Sequence, residues 1–314
     1  MIRDKAYFLA ESELKRRKQD AENQAENYKE AAFSIKELSD ADFERRRLAF
    51  KLVREKRAGR YDIKLIKQSE AAEKKFENLC KKYNIDLKKF EPRYNCEKCL
   101  DTGIYSGEMC ECFRELYIEN LKSLGGLTDK AAFKFSDNNP EKFGDEEAER
   151  LKLYFSFAKT VAEKFPDDIK VRCIMLYGNT GTGKSAMASA IANEVAEKGH
   201  SVLFMSAFEM VSLFLKYHIS PVSEREELID DILTAELLVI DDLGIEPKLN
   251  NVTLEYFLLL LTQRDKKGYL TVITTNIEPD KLHFRYQERI ASRLNDRSFC
   301  SKKHIEGKDK RLIN

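Results

Sequence analysis

The run Gly178-Asn179-Thr180-Gly181-Thr182-Gly183-Lys184-Ser185 constrains this chain more than any other feature. It fits G-x-x-x-x-G-K-[ST], a turn whose glycines let successive main-chain N–H groups point inward at an anion. An apolar stretch at 171–177 precedes it and a helical pattern at 184–198 follows, so the run reads as strand, loop and helix. A helix starting there aims the positive end of its dipole at phosphate. In such a turn Lys184 reaches the β- and γ-phosphates of a bound nucleotide, and the Ser185 hydroxyl is placed to ligate magnesium.

The surrounding pattern supplies the rest of an α/β domain. Helix signals at 145–164, 184–198, 208–218, 224–234 and 253–267 alternate with strand signals at 171–177, 201–206, 237–241 and 270–275. That alternation predicts a mainly parallel sheet with helices on both faces. Leu237-Leu238-Val239-Ile240 ends in Asp241 and Asp242. Asp241, at the carboxyl end of a buried strand, is the expected second magnesium ligand, and Asp242 the group that orients or activates water. Asp242 is one methylene shorter than Glu, which points to slow hydrolysis. The strand 270–275 leads into Asn276, whose amide could touch a γ-phosphate or the attacking water. Arg289 and Arg293 lie four apart on one helix face, and Arg311 follows in Gly307-Lys308-Asp309-Lys310-Arg311. Lys216, Arg225 and Arg264 are candidate exposed cations for DNA.

The front of the chain differs. Residues 1–94 hold 25 Lys and Arg against 18 Asp and Glu, while the remainder holds 30 against 36. A basic segment suits nucleic acid, an acidic partner, or a solvated helix surface. Gly59 is its one glycine and Pro92 its one proline. Tyr7, Leu14, Ala21, Tyr28 and Ile35 recur every seven residues, Ser39 with Asp42 suggests a second helix start, and Phe76, Leu79, Cys80 and Tyr83 mark a third. Residues 1–94 therefore read as a helical partner-binding module. Four of the seven cysteines crowd together as Cys96-x-x-Cys99 and Cys110-x-Cys112. Four thiolates so spaced can wrap one tetrahedral Zn²⁺, and a short segment of this kind takes its folding energy from the metal. An iron–sulfur cluster or reduced free thiols would use the same residues. The expected division is 1–94 helical module, 95–114 zinc segment, 115–144 linker and 145–314 ATPase domain. No apolar run reaches bilayer length, and the charged N-terminus lacks a signal-peptide core, so a cytoplasmic protein is expected.

In order, the phosphate loop, the Asp-Asp strand and the strand-terminal Asn resemble Walker A, Walker B and sensor 1 of the AAA+ ATPases. LLVIDDLG at 237–244, VITTN at 272–276, ERIASRL at 288–294, IEGKDKR at 305–311 and the cysteine block YNCEKCLDTG at 94–103 resemble more narrowly the bacterial replicative helicase loaders of the DnaC and DnaI type. They also resemble the related IstB-type transposition helpers. The likeness covers about residues 145–314. It implies a five-stranded sheet, ATP-dependent self-association and contact with single-stranded DNA. It also implies that Arg293 is an arginine finger reaching a neighbour's nucleotide, with Arg289 the alternative, and that Arg311 is the sensor 2 arginine. The leading expectation is a loader that grips the replicative helicase through residues 1–94 and uses ATP with Mg²⁺ as an assembly and release switch. A transposition or phage helper ATPase on duplex DNA, and an adaptor that binds ATP but barely hydrolyses it, are the rival expectations.

Overall fold

The computed structural model of the protein describes residues 1–128 and 130–310. By compactness the chain forms two units, Glu11–Phe113 and the remainder with Met1–Ala10.

The smaller unit is built from α1 (Ile2–Phe33) from Glu11 onward, α2 (Lys36–Arg57) and α3 (Ile63–Lys82). On α1 the buried residues are Ile2, Ala6, Ala10, Leu14, Ala25 and Ala32; of the seven-residue row only Leu14 is buried, and Tyr7 is 48% exposed. Spacings of four and seven put these small side chains on one face, where backbones can approach closely. The second helix starts at Lys36, ahead of the expected Ser39 start. Asp42 lies inside α2, buried, and binds the guanidiniums of Arg45 and Arg46 at 2.7 Å each instead of capping. Leu38 and Ala41 of α2 pack on Phe76 and Cys80 of α3, with Ala32 closing the cluster. Past α3 a two-stranded hairpin forms from β1 (Ile104–Tyr105) and β2 (Glu108–Met109). Ser106 and Gly107 at its tip both have positive φ (53° and 85°), as a type I′ turn requires.

Residues 115–144 were expected to be a linker and are not. α4 (Glu111–Leu124) occupies its first third, and Leu121, Leu127 and Ala131 are buried. The Ser189 hydroxyl donates to the Phe133 carbonyl at 2.9 Å and the Asn193 amide to that of Ala131 at 2.7 Å, tying 131–133 to the sheet-bearing unit. Glycine, asparagine and proline announce turns there, but the apolar residues between them still have to be buried.

The larger unit continues through α5 (Asp145–Lys164), β3 (Cys173–Tyr177), α6 (Lys184–Glu197), β4 (Val202–Ser206), α7 (Ala207–Ile219), α8 (Val222–Thr234), β5 (Leu237–Leu243), α9 (Thr253–Lys267), β6 (Leu270–Thr275), α10 (Leu282–Asn295) and β7 (Cys300–His304). The strands form one parallel sheet in the order β4-β5-β6-β3-β7. Alternate residues serve opposite faces, as the pleat dictates. Ile174, Leu176, Val239 and Val272 pack with α5 and α6, while Cys173, Met175, Leu238, Ile240 and Ile273 pack with α7 to α10. Such two-sided burial explains the unbroken apolar runs of β3, β5 and β6. The polar edge strand β7 lacked that signal.

Two further details depart from expectation. At Gln287 α10 is broken by φ 58° and ψ 170°, so the arginine-bearing helix proper starts at Glu288. That backbone region is nearly glycine-only and costs a larger side chain roughly 1–3 kcal/mol. Of the three cations proposed for DNA, Lys216 is exposed, but Arg225 closes the turn after α7 through the Ser220 and His218 carbonyls. Arg264 is 1% exposed. Its guanidinium donates to Thr271 Oγ1 and to the carbonyls of Ile232, Ala235 and Leu270, at 2.6–3.0 Å. Burial pulls its pKa down to about 9, so it remains charged at neutral pH. Replacement by an apolar side chain strands three buried carbonyls. Arg264→Met should lower the urea-unfolding free energy by roughly 3–5 kcal/mol, and Arg264→Lys, which lacks the fork, should recover little of it.

Candidate nucleotide and metal sites

β3 and β5 both flank β6, in register Tyr177↔Thr275 and Ile240↔Ile273. Parallel pairing therefore brings the phosphate loop, the Asp-Asp pair and Asn276 to the same carboxyl edge, where ligands bind in open α/β sheets. A cavity of about 460 Å³ opens there, lined by Thr180, Gly181, Gly183, Lys184, Ser185, Asp242 and Asn276. Phe133, Phe143 and Phe155 form an apolar wall with Asn138, Asn139 and Lys142 at its rim. The sequence reading did not assign that wall to the site.

The loop is held by its own side chains. Lys184, 5% exposed, donates from Nζ to the carbonyls of Gly178 (3.0 Å) and Asn179 (2.6 Å). Buried Thr182 donates to the Asn179 carbonyl at 3.0 Å. Gly178 has φ 139°, and a Cβ there would come within 2.3 Å of the Ile305 carbonyl oxygen, so the exit of β7 demands glycine at this position. The chain's last described turn also reaches the loop. The Lys310 N–H donates to the Gly181 carbonyl at 3.0 Å. Its Nζ donates to the Thr182 carbonyl at 2.6 Å and pairs with Glu147 at 3.1 Å. Asp309 packs so closely on Gly181 that a Cβ would meet its Oδ1 at 1.9 Å. Lys310 and Glu147 were not expected here; the signal was the basic cluster 307–311, read for Arg311 alone. Arg311 lies outside the described residues.

The two acids differ in setting. Between Ile240↔Ile273 and Leu243↔Thr275 two residues of β5 face the single Thr274 of β6, a β-bulge. The bulge turns Asp242, at φ 55°, into the cavity. Thr274 Oγ1 donates to Asp241 Oδ1 at 2.6 Å and accepts the Asp242 N–H at 2.8 Å, locking both. Burial pushes the Asp241 carboxyl above its ordinary range, against the opposing pull of the Thr274 hydrogen bond and of the neighbouring Ser185 hydroxyl. A carboxylate whose charge is penalised, next to a hydroxyl at the foot of a phosphate loop, has the donor chemistry that a hard cation bound to phosphate oxygens needs.

The arginines lie apart from this constellation. Arg293 is not among the residues lining the cavity. It pairs with Asp265 at 2.5 Å and lies over the Phe299 ring, 4.6 Å from its centroid. Arg289 is exposed and makes no ion pair or hydrogen bond among the described residues.

A second site lies in the smaller unit. The Sγ atoms of Cys96, Cys99, Cys110 and Cys112 all fall within 4.8 Å of one another, with Cys96–Cys110 at 3.8 Å and Cys99–Cys112 at 3.4 Å. Four sulfurs each about 2.3 Å from one tetrahedral zinc would be about 3.8 Å apart, so this donor set could hold a single Zn²⁺. Asp101, 2% exposed, shapes the first pair by accepting the N–H groups of Asn95 and Cys96 at 2.8 Å each. The Cys110 N–H donates to the Gly103 carbonyl at 2.9 Å, which brings the second pair back. The motif spacing revealed the cysteines but not Asp101.

Fold and site together define a P-loop nucleotide-binding domain of the AAA+ class. Residues 167–313 match the family model described as IstB-like ATP binding protein. The replicative helicase loader DnaI of Bacillus subtilis is 34% identical over 122 residues, 38% of this chain and 39% of that relative. The replicative helicase loader DnaC of Escherichia coli is 28% identical over 141 residues, 44% of this chain and 56% of the relative. The chain thus matches about half or less of each relative's length. A crystal structure of DnaI superposes with a TM-score of 0.45 at 23% identity, covering 58% of this chain and 93% of that one. No helix among the described residues is long and apolar enough to cross a membrane.

Three outcomes are expected. Asp241 is harder to ionise in the folded chain than in the unfolded one, so above the ordinary Asp range its charge subtracts from stability. Asp241→Asn should raise the melting temperature of the nucleotide-free protein at pH 7, an advantage that shrinks toward about pH 4. The same variant should weaken magnesium-dependent nucleotide binding by about tenfold or more, measured by titration calorimetry. Mass spectrometry of metal content should find one zinc per chain, lost in Cys99→Ser together with the cooperative melting of Glu11–Phe113.

Proposed function

We propose that the protein is an ATP-dependent loader of a replicative DNA helicase. The observation that carries the reading is the convergence of Lys184, Ser185, Asp241, Asp242 and Asn276 on one edge of the sheet, in a domain whose relatives are helicase loaders. The amides of 178–183 and Lys184 hold the triphosphate, and Ser185 and Asp241 hold magnesium, which when bound offsets the phosphate charge. Asp242 orients the attacking water and Asn276 touches it or the γ-phosphate. Hydrolysis is slow on this reading and is stimulated by DNA or partner. Self-association through the ATPase domain completes the site: Arg293 leaves Asp265 to reach a neighbour's nucleotide, or Arg289, already exposed, does so. Arg311 takes the sensor 2 role.

The helical unit is the helicase-binding part. Phe43 and Phe50, seven apart on α2, are 70% and 72% exposed, the kind of apolar surface that marks a binding site. Zinc on the four cysteines stabilises the segment that leads from it, and single-stranded DNA is the expected nucleic acid. The match to the IstB-like family model favours, as a second reading, a transposition helper that works on duplex DNA.

A mixture of the full chain and its cognate hexameric helicase distinguishes these. A complex on gel filtration that is ATP-sensitive, is abolished by Phe43→Asp with Phe50→Asp, and delivers helicase to single strands supports the loader. Filaments on duplex DNA with no helicase complex would replace it with the second reading. Lys184→Ala should reduce ATP affinity at least about a hundredfold; unchanged affinity would end both readings.

A further inference from the structure

Outside the cavity, the loop that follows the two acids is bound by one buried carboxylate to the 282–286 segment that leads into the arginine helix. Glu246 is 2% exposed and does not line the cavity. Its two oxygens serve different elements. Oε2 accepts the N–H of Gly244, two residues beyond Asp242, at 2.7 Å. Oε1 accepts the Tyr286 hydroxyl at 2.7 Å and lies 3.3 Å from Arg285 Nη2, which also donates to the Glu246 carbonyl. Tyr286 is 1% exposed and packs on Phe257, which fixes this end of the bridge in the core. The next residue is Gln287, in the strained conformation that separates 282–286 from the helix carrying Arg289 and Arg293.

We propose that Glu246 is a positioning residue for the ATPase reaction, linking the nucleotide state at Asp242 to the orientation of the arginine helix about Gln287. The inference rests on the reading of the site as an ATPase. A rigid carboxylate with one oxygen on each element cannot follow both if they move apart; a shift of a few tenths of an ångström at Gly244 is passed to Tyr286 or breaks a bond. A buried charge that merely neutralised Arg285 would have no need of the main-chain N–H beside the acids. Gln287 supplies the movable joint. Its backbone is held out of a favourable basin by Tyr286 on one side and by buried Ile290, Ala291 and Leu294 on the other, so a small displacement changes how the two are connected.

The test is amide hydrogen exchange of the full chain over residues 282–295, with and without the non-hydrolysable analogue AMPPNP and Mg²⁺. Analogue affinity and ATP turnover are measured on the same samples. Glu246→Gln keeps an acceptor for Tyr286 but turns an amide toward the Gly244 N–H, so it cuts the loop side. Tyr286→Phe cuts the helix side. Exposed Gln287→Gly lies outside the bridge and slackens the joint, and it keeps the test alive should either buried variant fail to fold. In the wild type the analogue should alter exchange across 282–295. In each variant that response should fall by at least half. Analogue affinity and KM should stay within about threefold and kcat should drop about tenfold. A purely structural role would lower the melting point and leave the response intact, and that result overturns the proposal. So does a wild type that binds the analogue with no change at 282–295. A wild type that binds no analogue overturns the ATPase reading itself, and the bridge's role with it.

Discussion

Everything at the site depends on the parallel pairing of β6 with β3 on one side and β5 on the other. Hydrogen bonds between these three strands bring to one edge groups that are about a hundred residues apart in the chain, and they do so in fixed register. Because the central strands are covered on both faces, a slip of one residue would exchange the α5–α6 face for the α7–α10 face. The hydrophobic demand of two cores thus fixes the heights of Lys184, Asp241 and Asn276 relative to one another, far more strongly than polar contacts within the site could.

Much of this was legible in the sequence, for a physical reason. A glycine turn between an apolar run and a helix has few ways to fold, and strands buried on both faces are written as continuous apolar segments. The pattern therefore placed β6 and α9 at their observed limits, while β5 runs two residues past the expected end at Asp241, through the bulge to Leu243. The failures share a different cause. Arg264 carries a charge, and its composition alone says surface; only the three carbonyls left over at the ends of α8, of the 235–236 turn and of β6 explain why it is inside. The 115–144 segment has turn residues, and its packing against Ser189 and Asn193 depends on partners far away in the chain. β7 is an edge strand with half-buried lysines and no apolar run. In each case the deciding interaction is non-local.

The two sites also differ in what maintains them. Around the phosphate loop a large core surrounds the groups, and Lys184 is held by main-chain carbonyls of the same loop. The cysteine segment has a two-stranded hairpin, one buried Asp and few apolar neighbours. Its geometry is consistent with a scaffold whose cohesion comes from ligand bonds rather than from area removed from water.

The bulge at Asp241–Asp242 restricts which amino acids the second acidic position can accept. With φ at 55°, Asp242 occupies the left-handed region, which Asp and Asn tolerate and longer side chains enter at about 1–2 kcal/mol. Glutamate, with its longer reach toward water, would meet that backbone penalty before any chemical advantage could count. The choice of aspartate here is therefore a conformational matter first, and variation at this position across a lineage should follow the shape of the strand end as closely as it follows the rate of the reaction.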